Sequence, residues 1–300
     1  MTIETFELAL PHGVTLSCRA AGTPGAPLLV FLHGFPEAAF VWDELLAHFA
    51  PHYRCIAPNL RGFERSSSPA EVEAYRAKHL MADIRALIEA QGGRAAALVA
   101  HDWGGAVAWG FAAQHGTLIE RLVIVNSPHP ATFLRELRDN PRQQAASAYM
   151  NFLCRPDAEA LLAENDFARL WTFFERMGAT DPKHPGGNWL TEAVREQYRE
   201  VWRLGLTGGC NYYRASPLRP PLKPDDAIVT LQLPPALLTV QLPTHVVWAE
   251  ADAALPPALL DGLDAWVPQL TVTRVPEATH WIVHERPAFV AAEIERALAA

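Results

Sequence analysis

The sequence predicts an α/β protein: a mostly parallel, open sheet flanked by helices, with a block of helices inserted between two of its strands. Three observations carry this. Continuous apolar runs such as Leu28-Leu29-Val30-Phe31-Leu32 read as strands buried on both faces, the mark of a parallel sheet. These runs alternate with helix-period segments as far as Asn126, and again from His245 onward. Between residues 132 and 215 the alternation stops, and aromatic-rich helical periodicity takes over without a clear buried strand.

In chain order, residues 6–10 and 14–20 read as two strands joined by the turn signal Pro11-His12-Gly13. After the loop 22–27 and the strand 28–32 comes His33-Gly34-Phe35-Pro36-Glu37, at that strand's C-terminal end. Residues 40–49 have helical amphipathicity, 53–57 form a strand, and 75–90 a second helix. A strand over 95–100 leads into a helix ending near His115, followed by a strand over 122–126. Beyond the helical block, the Pro-rich stretch 219–235 reads as a surface excursion. The alternation then resumes: a strand at 245–249, a helix at 257–266, a strand at 270–275 and a last helix at 287–298.

With 300 residues, half of them hydrophobic, the chain can bury one large core plus a smaller inserted unit. A net charge of −8 without any basic cluster argues against nucleic acid or an anionic membrane as partner. The first ten residues lack a basic n-region and an apolar h-region. No apolar run approaches the ~18 residues of a membrane span. Cys18, Cys55, Cys154 and Cys210 are scattered without metal-ligand spacing. The expectation is a cytoplasmic protein with reduced thiols, no metal, no cofactor and a small apolar partner molecule, a homodimer being left open.

The most informative stretch is residues 94–110. The run Ala95-Ala96-Ala97-Leu98-Val99-Ala100 ends in His101-Asp102-Trp103 and passes directly into the helix start Gly104-Gly105-Ala106-Val107. Ala100 and Gly104 bracket Asp102 in the pattern small-x-nucleophile-x-small, which suits a sharp strand-to-helix turn that lifts a nucleophile above a sheet. Here the central residue is a carboxylate, which can itself attack and form an ester. A helix N-terminus favours its anionic form. The plain alternative is that Asp102 only caps the helix. Two further signals weigh against it. Glu250-Ala251-Asp252 follows one strand and Ala278-Thr279-His280-Trp281 follows the last. Nucleophile, acid, then histidine, each just past a strand's C-terminal end, is the chain order of the α/β-hydrolase triad.

With these residues the chain resembles the epoxide hydrolases of the α/β-hydrolase fold, relatives of the haloalkane dehalogenases. His33-Gly34-Phe35-Pro36-Glu37, His101-Asp102-Trp103-Gly104-Gly105, Asn211-Tyr212-Tyr213-Arg214, Glu250-Ala251-Asp252 and Thr279-His280-Trp281 carry the resemblance over nearly the whole chain. His-Asp-Trp-Gly is shared with haloalkane dehalogenases; the first and third motifs together point to epoxides. Ala100 in place of a glycine, Asn59 in place of an aspartate and the glycine-poor Glu277-Ala278-Thr279 depart from the pattern without removing a catalytic atom. The implied division is a hydrolase core over 1–130 and 217–300, with a helical cap over 131–216.

The resemblance also implies a role for each motif. Asp102 attacks an epoxide carbon, and His280 is the base that activates water against the resulting ester. Asp252 orients His280, with Glu250 the competitor two residues away. The backbone N–H groups of Phe35 and Trp103 form the oxyanion hole. Pro36 is expected to be cis, aiming the Phe35 amide. Tyr213, and more loosely Tyr149, donate to the epoxide oxygen, while Tyr212 is assigned to packing. Trp103, Phe35, Pro36, His101, Trp171 and Phe174 are expected to line the substrate site. His12, His48, His52, His79, His115, His184 and His284 are read as surface or core histidines. Two other functions compete. One is a dehalogenase with the same Asp-His-Asp set, disfavoured by Phe35 where many such enzymes carry Asn. The other is a non-catalytic binding protein.

Overall fold

The computed structural model describes residues 2–180, 183 and 186–299. Eight strands, β1 (Glu4–Ala9), β2 (Thr15–Ala21), β3 (Leu28–Leu32), β4 (Arg54–Pro58), β5 (Ala97–His101), β6 (Leu122–Val125), β7 (Thr244–Ala249) and β8 (Leu270–Val275), form one sheet in the order β1-β2-β4-β3-β5-β6-β7-β8. The first hairpin and the β2–β4 pair are antiparallel. From β4 to β8 all pairs are parallel. Every residue of β3 to β7 is buried, as expected of strands covered on both faces, Arg54, His101, Thr244 and His245 included. The chain leaves β3 toward β4 on one side and returns to β5 on the other. The crevice at the carboxyl ends of β3 and β5 is therefore the topological switch point, where open α/β sheets bind ligands.

Helices α1 (Asp43–Phe49), α2 (Ala77–Ala90) and α3 (Asp102–His115) flank the sheet. Between β6 and β7 lie α4 (Pro130–Asp139), α5 (Pro141–Ala146), α6 (Tyr149–Leu153), α7 (Ala158–Arg176), α8 (Glu192–Arg203), α9 (Thr207–Ala215) and α10 (Ala227–Thr230). The short α11 (Ile282–Glu285) and the terminal α12 (Pro287–Ala299) complete the fold. The inserted helices sit on the strand ends through buried polar contacts as well as apolar packing. Trp202 Nε1 donates to Pro36 O at 2.7 Å, Tyr212 OH to Arg61 O at 3.0 Å, and Trp281 Nε1 to Phe174 O at 3.2 Å.

Three local expectations change. Residues 257–266 form two separate 3-10 turns, Pro257–Leu260 and Leu263–Ala265, because Gly262 between them is left-handed (φ 71°) and breaks the helical path. Tyr75 belongs to a 3-10 turn, Val72–Tyr75, and α2 starts at Ala77. A 3-10 turn, Ala39–Trp42, likewise precedes α1. The Pro-rich stretch 219–235 lies largely at the surface, as expected, and is anchored where Ile228, Leu231 and Leu233 pack on Leu134 and Leu137 as a small separate cluster. Within α7 the backbone leaves the helix at Glu164, and Asn165, Asp166 and Phe167 take left-handed angles (φ 51°, 56° and 61°). Trp171 Nε1, donating to Asp166 O at 2.7 Å, and Arg199, gripping Asp166 Oδ2 at 2.8 Å, hold this turn. Among the described residues no helix is long and apolar enough to cross a membrane, and no group of His, Cys, Asp and Glu is arranged to hold a metal. All four cysteines are free.

Candidate active site

Asp102 is the first residue of α3, and its backbone is left-handed (φ 49°) while His101 before it is extended. The turn works only because its neighbours are small. A Cβ on Gly104 would lie 2.4 Å from Leu32 O, and one on Gly34 would lie 2.2 Å from Asp102 Oδ1. Glycine at 34 thus lets the loop after β3 close on the carboxylate, and the Phe35 N–H donates to Asp102 Oδ1 at 2.7 Å. The Phe35–Pro36 peptide is cis. The Trp103 N–H lies in the first turn of α3, where amides have no intrahelical acceptor.

His280 stands opposite, on the loop after β8. Its Nε2 is 3.9 Å from Asp102 Oδ2, and its Nδ1 is 2.7 Å from Asp252 Oδ2. The imidazole is buried, which by itself lowers its pKa. The charge and hydrogen bond of Asp252, with Asp102 and Glu37 behind it, more than offset that and raise it to about 9. Asp252 is buried too, yet its pKa is lowered: against desolvation stand the His280 charge and hydrogen bonds from His280, Asn126 and the Ala254 N–H. Glu250 points elsewhere and pairs with Arg274 at 3.2 Å near the surface, so the structure separates the two competing acids. An imidazole held between two carboxylates can accept a proton at Nε2 from a group lying against Asp102.

The two tyrosines come from the inserted helices. The Tyr213 ring stands edge-on to Phe35 (5.3 Å between centroids) and to Trp103 (5.0 Å), the residues on either side of the Asp102 carboxylate. Tyr149 lies 6.1 Å from Tyr213, ring to ring. Burial, followed by neighbouring charge that includes Asp102, pushes both phenols upward, so each keeps its proton and remains a donor. Tyr212 is packed against Phe63, Tyr75 and Trp103, as expected.

Two cavities meet these groups. One of about 70 Å³ is lined by Asp102, Trp103, Ser127, Phe133, Tyr149 and Tyr213. The other, about 460 Å³, opens from Phe35 and Tyr149 past Phe152 and Phe173 to a rim carrying Arg169 and Arg176. Trp103 and Phe35 are therefore wall residues. Four other expectations about the wall need correction. Trp171 and Phe174 turn inward: Trp171 packs on Trp202 at 4.5 Å and Phe174 stacks on Trp281 at 4.3 Å. Phe173, one residue along α7, takes the wall position, a distinction of helical phase that aromatic content alone does not give. His101 lies beneath His280, its Nε2 2.9 Å from the His280 carbonyl, and lines neither cavity. Pro36 likewise serves the seating of α8 through its carbonyl.

Other functional candidates carry no signal that their local sequence would reveal. Glu37 is a fully buried carboxylate, 2.7 Å from His284 Nε2, 2.8 Å from Tyr198 OH and 3.3 Å from His101 Nδ1. Desolvation works against its charge, but the hydrogen bonds and charges of His101 and His284 hold its pKa well below the usual range. His284 is thus a partly buried histidine hydrogen-bonded to Glu37 and Tyr198, within the core reading of the sequence. His12 also has a partner, Asp83 at 2.6 Å, which Arg61 grips through two nitrogens. His184 lies outside the described residues. Asn126 and Ser127, past the end of β6, contact Asp252 and the Asp102 carbonyl respectively.

A family model described as alpha/beta hydrolase fold matches residues 27–287. Epoxide hydrolase 3 of Xenopus tropicalis is 32% identical over 92% of this chain and 72% of its own length. The AB hydrolase superfamily protein YfhM of Bacillus subtilis is 35% identical, covering 93% of this chain and 92% of that one. Among solved structures, one described under novel epoxide hydrolases from metagenomes of hot environments superimposes with a TM-score of 0.87 at 38% identity, covering all of both chains. The Bacillus megaterium epoxide hydrolase in complex with an inhibitor superimposes with a TM-score of 0.88 at 29% identity, over 98% of this chain and all of that one. The sheet order, the elbow at Asp102 and these relatives agree: the chain belongs to the epoxide hydrolases of the α/β-hydrolase fold.

Proposed function

We propose that the chain hydrolyses an apolar epoxide to a vicinal diol in two steps, through a covalent ester on Asp102. In the first, Asp102 Oδ2 attacks an epoxide carbon, the ring C–O bond breaks, and Tyr213 and Tyr149 donate to the departing oxygen. In the second, His280 Nε2 removes a proton from water, which attacks the ester carbonyl carbon. The acyl C–O bond then breaks, and its oxygen takes the proton from His280. The water's second proton makes good the one the tyrosines gave, and the diol leaves with the alkyl C–O bond intact as the carboxylate is restored. Charge gathers on Oδ1 during this step, where the Phe35 N–H already donates and the Trp103 N–H is the second donor.

The electrostatics support this order of events. Asp102 is one of the charges that raise His280. Esterification removes that charge, so the imidazole loses proton affinity in the intermediate, where a free base is needed. Attack by Asp102 requires no base, and the protonated imidazole does not obstruct it.

The observation that carries the reading is that Tyr149 and Tyr213 line the same cavity as Asp102. A halide leaves without a proton, whereas an epoxide oxygen leaves as an alkoxide and demands a donor. The test is incubation with an aryl-substituted epoxide and, separately, with a bromoalkane, followed by measurement of diol and bromide. Diol with little bromide is the expected result. Preferential bromide release, or no turnover of either, would overturn it.

A further inference from the structure

We propose that Asn126 is a positioning residue for the hydrolytic half-reaction, fixing the Asp252 carboxylate so that one chosen oxygen faces His280. The inference rests on the two-step reading above. Asn126 follows β6 directly, is fully buried and is left-handed (φ 40°), a conformation that Asn tolerates better than most residues. Its Oδ1 accepts the Ala249 N–H at 2.8 Å, at the end of β7. A backbone N–H can only donate, so the other end of the amide is its nitrogen, and that nitrogen donates to Asp252 Oδ2 at 2.8 Å. The same oxygen receives His280 Nδ1, and Oδ1 receives the N–H groups of Ala254 and Leu255 at 2.8 and 3.0 Å. All four acceptor positions of the carboxylate are filled by donors on three different segments. The group can neither rotate nor take up a proton without losing one of them.

The next residue has the complementary task. Ser127 Oγ donates to the Asp102 carbonyl at 2.6 Å, so adjacent residues at the end of β6 hold opposite ends of the site. Their effects therefore fall on different steps. Around His280 the charged and titratable groups are Asp252, Asp102 and Glu37, with the His101 ring 4.6 Å away. Withdrawing the Asn126 donor leaves Asp252 a stronger partner for the imidazolium, so His280 must shed its proton at higher pH.

The test compares Asn126→Ala, Asn126→Ser and Ser127→Ala with wild type in single turnovers. Alkylation and ester hydrolysis are resolved by rapid quench and intact mass across the His280 titration. Both Asn126 variants are expected to slow ester hydrolysis about 10- to 100-fold, what one charge-assisted hydrogen bond supplies, and to move the midpoint of its pH profile upward. Their alkylation rate stays close to wild type. Ser127→Ala slows alkylation instead and leaves the midpoint in place. Equal slowing of both steps by the Asn126 variants with an unmoved midpoint, or wild-type hydrolysis, overturns the proposal. Failure of both Asn126 variants to fold also overturns it, by making the residue a determinant of the fold. If His280→Gln accumulates no ester on an otherwise normal enzyme, the fault lies with the two-step reading and not with Asn126.

Discussion

Replacing Asp252 by Asn removes the charge of the acid while keeping its shape, and the groups around that carboxylate set the cost. His280 is raised from 6.5 to about 9, with Asp252 the leading charge behind the rise. The net rise corresponds to on the order of 3 kcal/mol in favour of the imidazolium, after the cost of burial and with Asp102 and Glu37 contributing beside Asp252. The amide also has no comfortable orientation. With its nitrogen at the Oδ1 position it meets the Ala254 and Leu255 N–H groups, donor against donor. With its nitrogen at the Oδ2 position it meets the Asn126 amide and donates to His280 Nδ1, which puts the imidazole proton on Nε2 and abolishes the base. Ester hydrolysis should therefore slow by about 10³- to 10⁴-fold, as when a triad aspartate becomes an amide elsewhere. Alkylation, which needs no base, should be nearly unaffected. Rapid-quench mass spectrometry reads both steps, the ester appearing at its usual rate and then persisting. Glu250→Gln is the control, since that carboxylate belongs to a surface pair with Arg274 and such pairs contribute little. Ester hydrolysis by Asp252→Asn within about tenfold of wild type, or greater damage from Glu250→Gln, would refute the assignment.

The same geometry yields three further expected outcomes. Tyr213→Phe should slow alkylation by an epoxide by about 10²-fold, with Tyr149→Phe acting in the same direction and the double variant near inactive. Any reaction with an alkyl bromide should fall much less, and equal losses on both substrates would remove the tyrosines from acid duty. Gly34→Ala puts a methyl 2.2 Å from Asp102 Oδ1, so burst alkylation should be lost while circular dichroism stays native-like; a normal burst would mean the loop after β3 yields freely. His280 has a folded pKa above its unfolded value, so its stabilisation is complete below 6.5 and disappears as pH rises through about 9. Denaturant titrations at the two ends of that window should differ by on the order of 3 kcal/mol, and His280→Gln should flatten the difference. No change in wild type across the window would mean that His280 is not raised in the folded state.

The sheet was legible because β3, β5 and β6 are almost wholly apolar runs and the strand ends carry short polar motifs. Spacing placed Asp102, His280 and the pair Glu250 and Asp252 past the ends of β5, β8 and β7, the resemblance favoured Asp252, and the structure brings Asp102, Asp252 and His280 within hydrogen-bonding or near-contact distance. Less legible was whatever depends on phase or on a partner distant in sequence. Phe173 and Phe174 are indistinguishable by composition, yet one faces the cavity and the other stacks on Trp281. Asn126 reads as an ordinary residue ending a strand, and only the approach of residue 249 and residue 252, more than a hundred positions away, gives it a role. The partners of His284 were unreadable for the same reason: Glu37 and Tyr198 come from the far end of the chain and from an inserted helix. A helix over 257–266 failed because Gly262 adopts a left-handed angle that periodicity does not register.

The proposed mechanism stands on Asp102 becoming esterified and then being released by attack of water on its carbonyl carbon. One turnover in heavy-oxygen water, with enzyme in excess over epoxide, tests this directly: the peptide containing Asp102 is then isolated and its mass and that of the diol are measured. The mechanism predicts the heavy oxygen in the Asp102 carboxylate and an unlabelled diol, since the diol takes its new oxygen from the enzyme. Heavy oxygen in the diol with none in Asp102 would mean that water attacks the epoxide directly, and would contradict the mechanism.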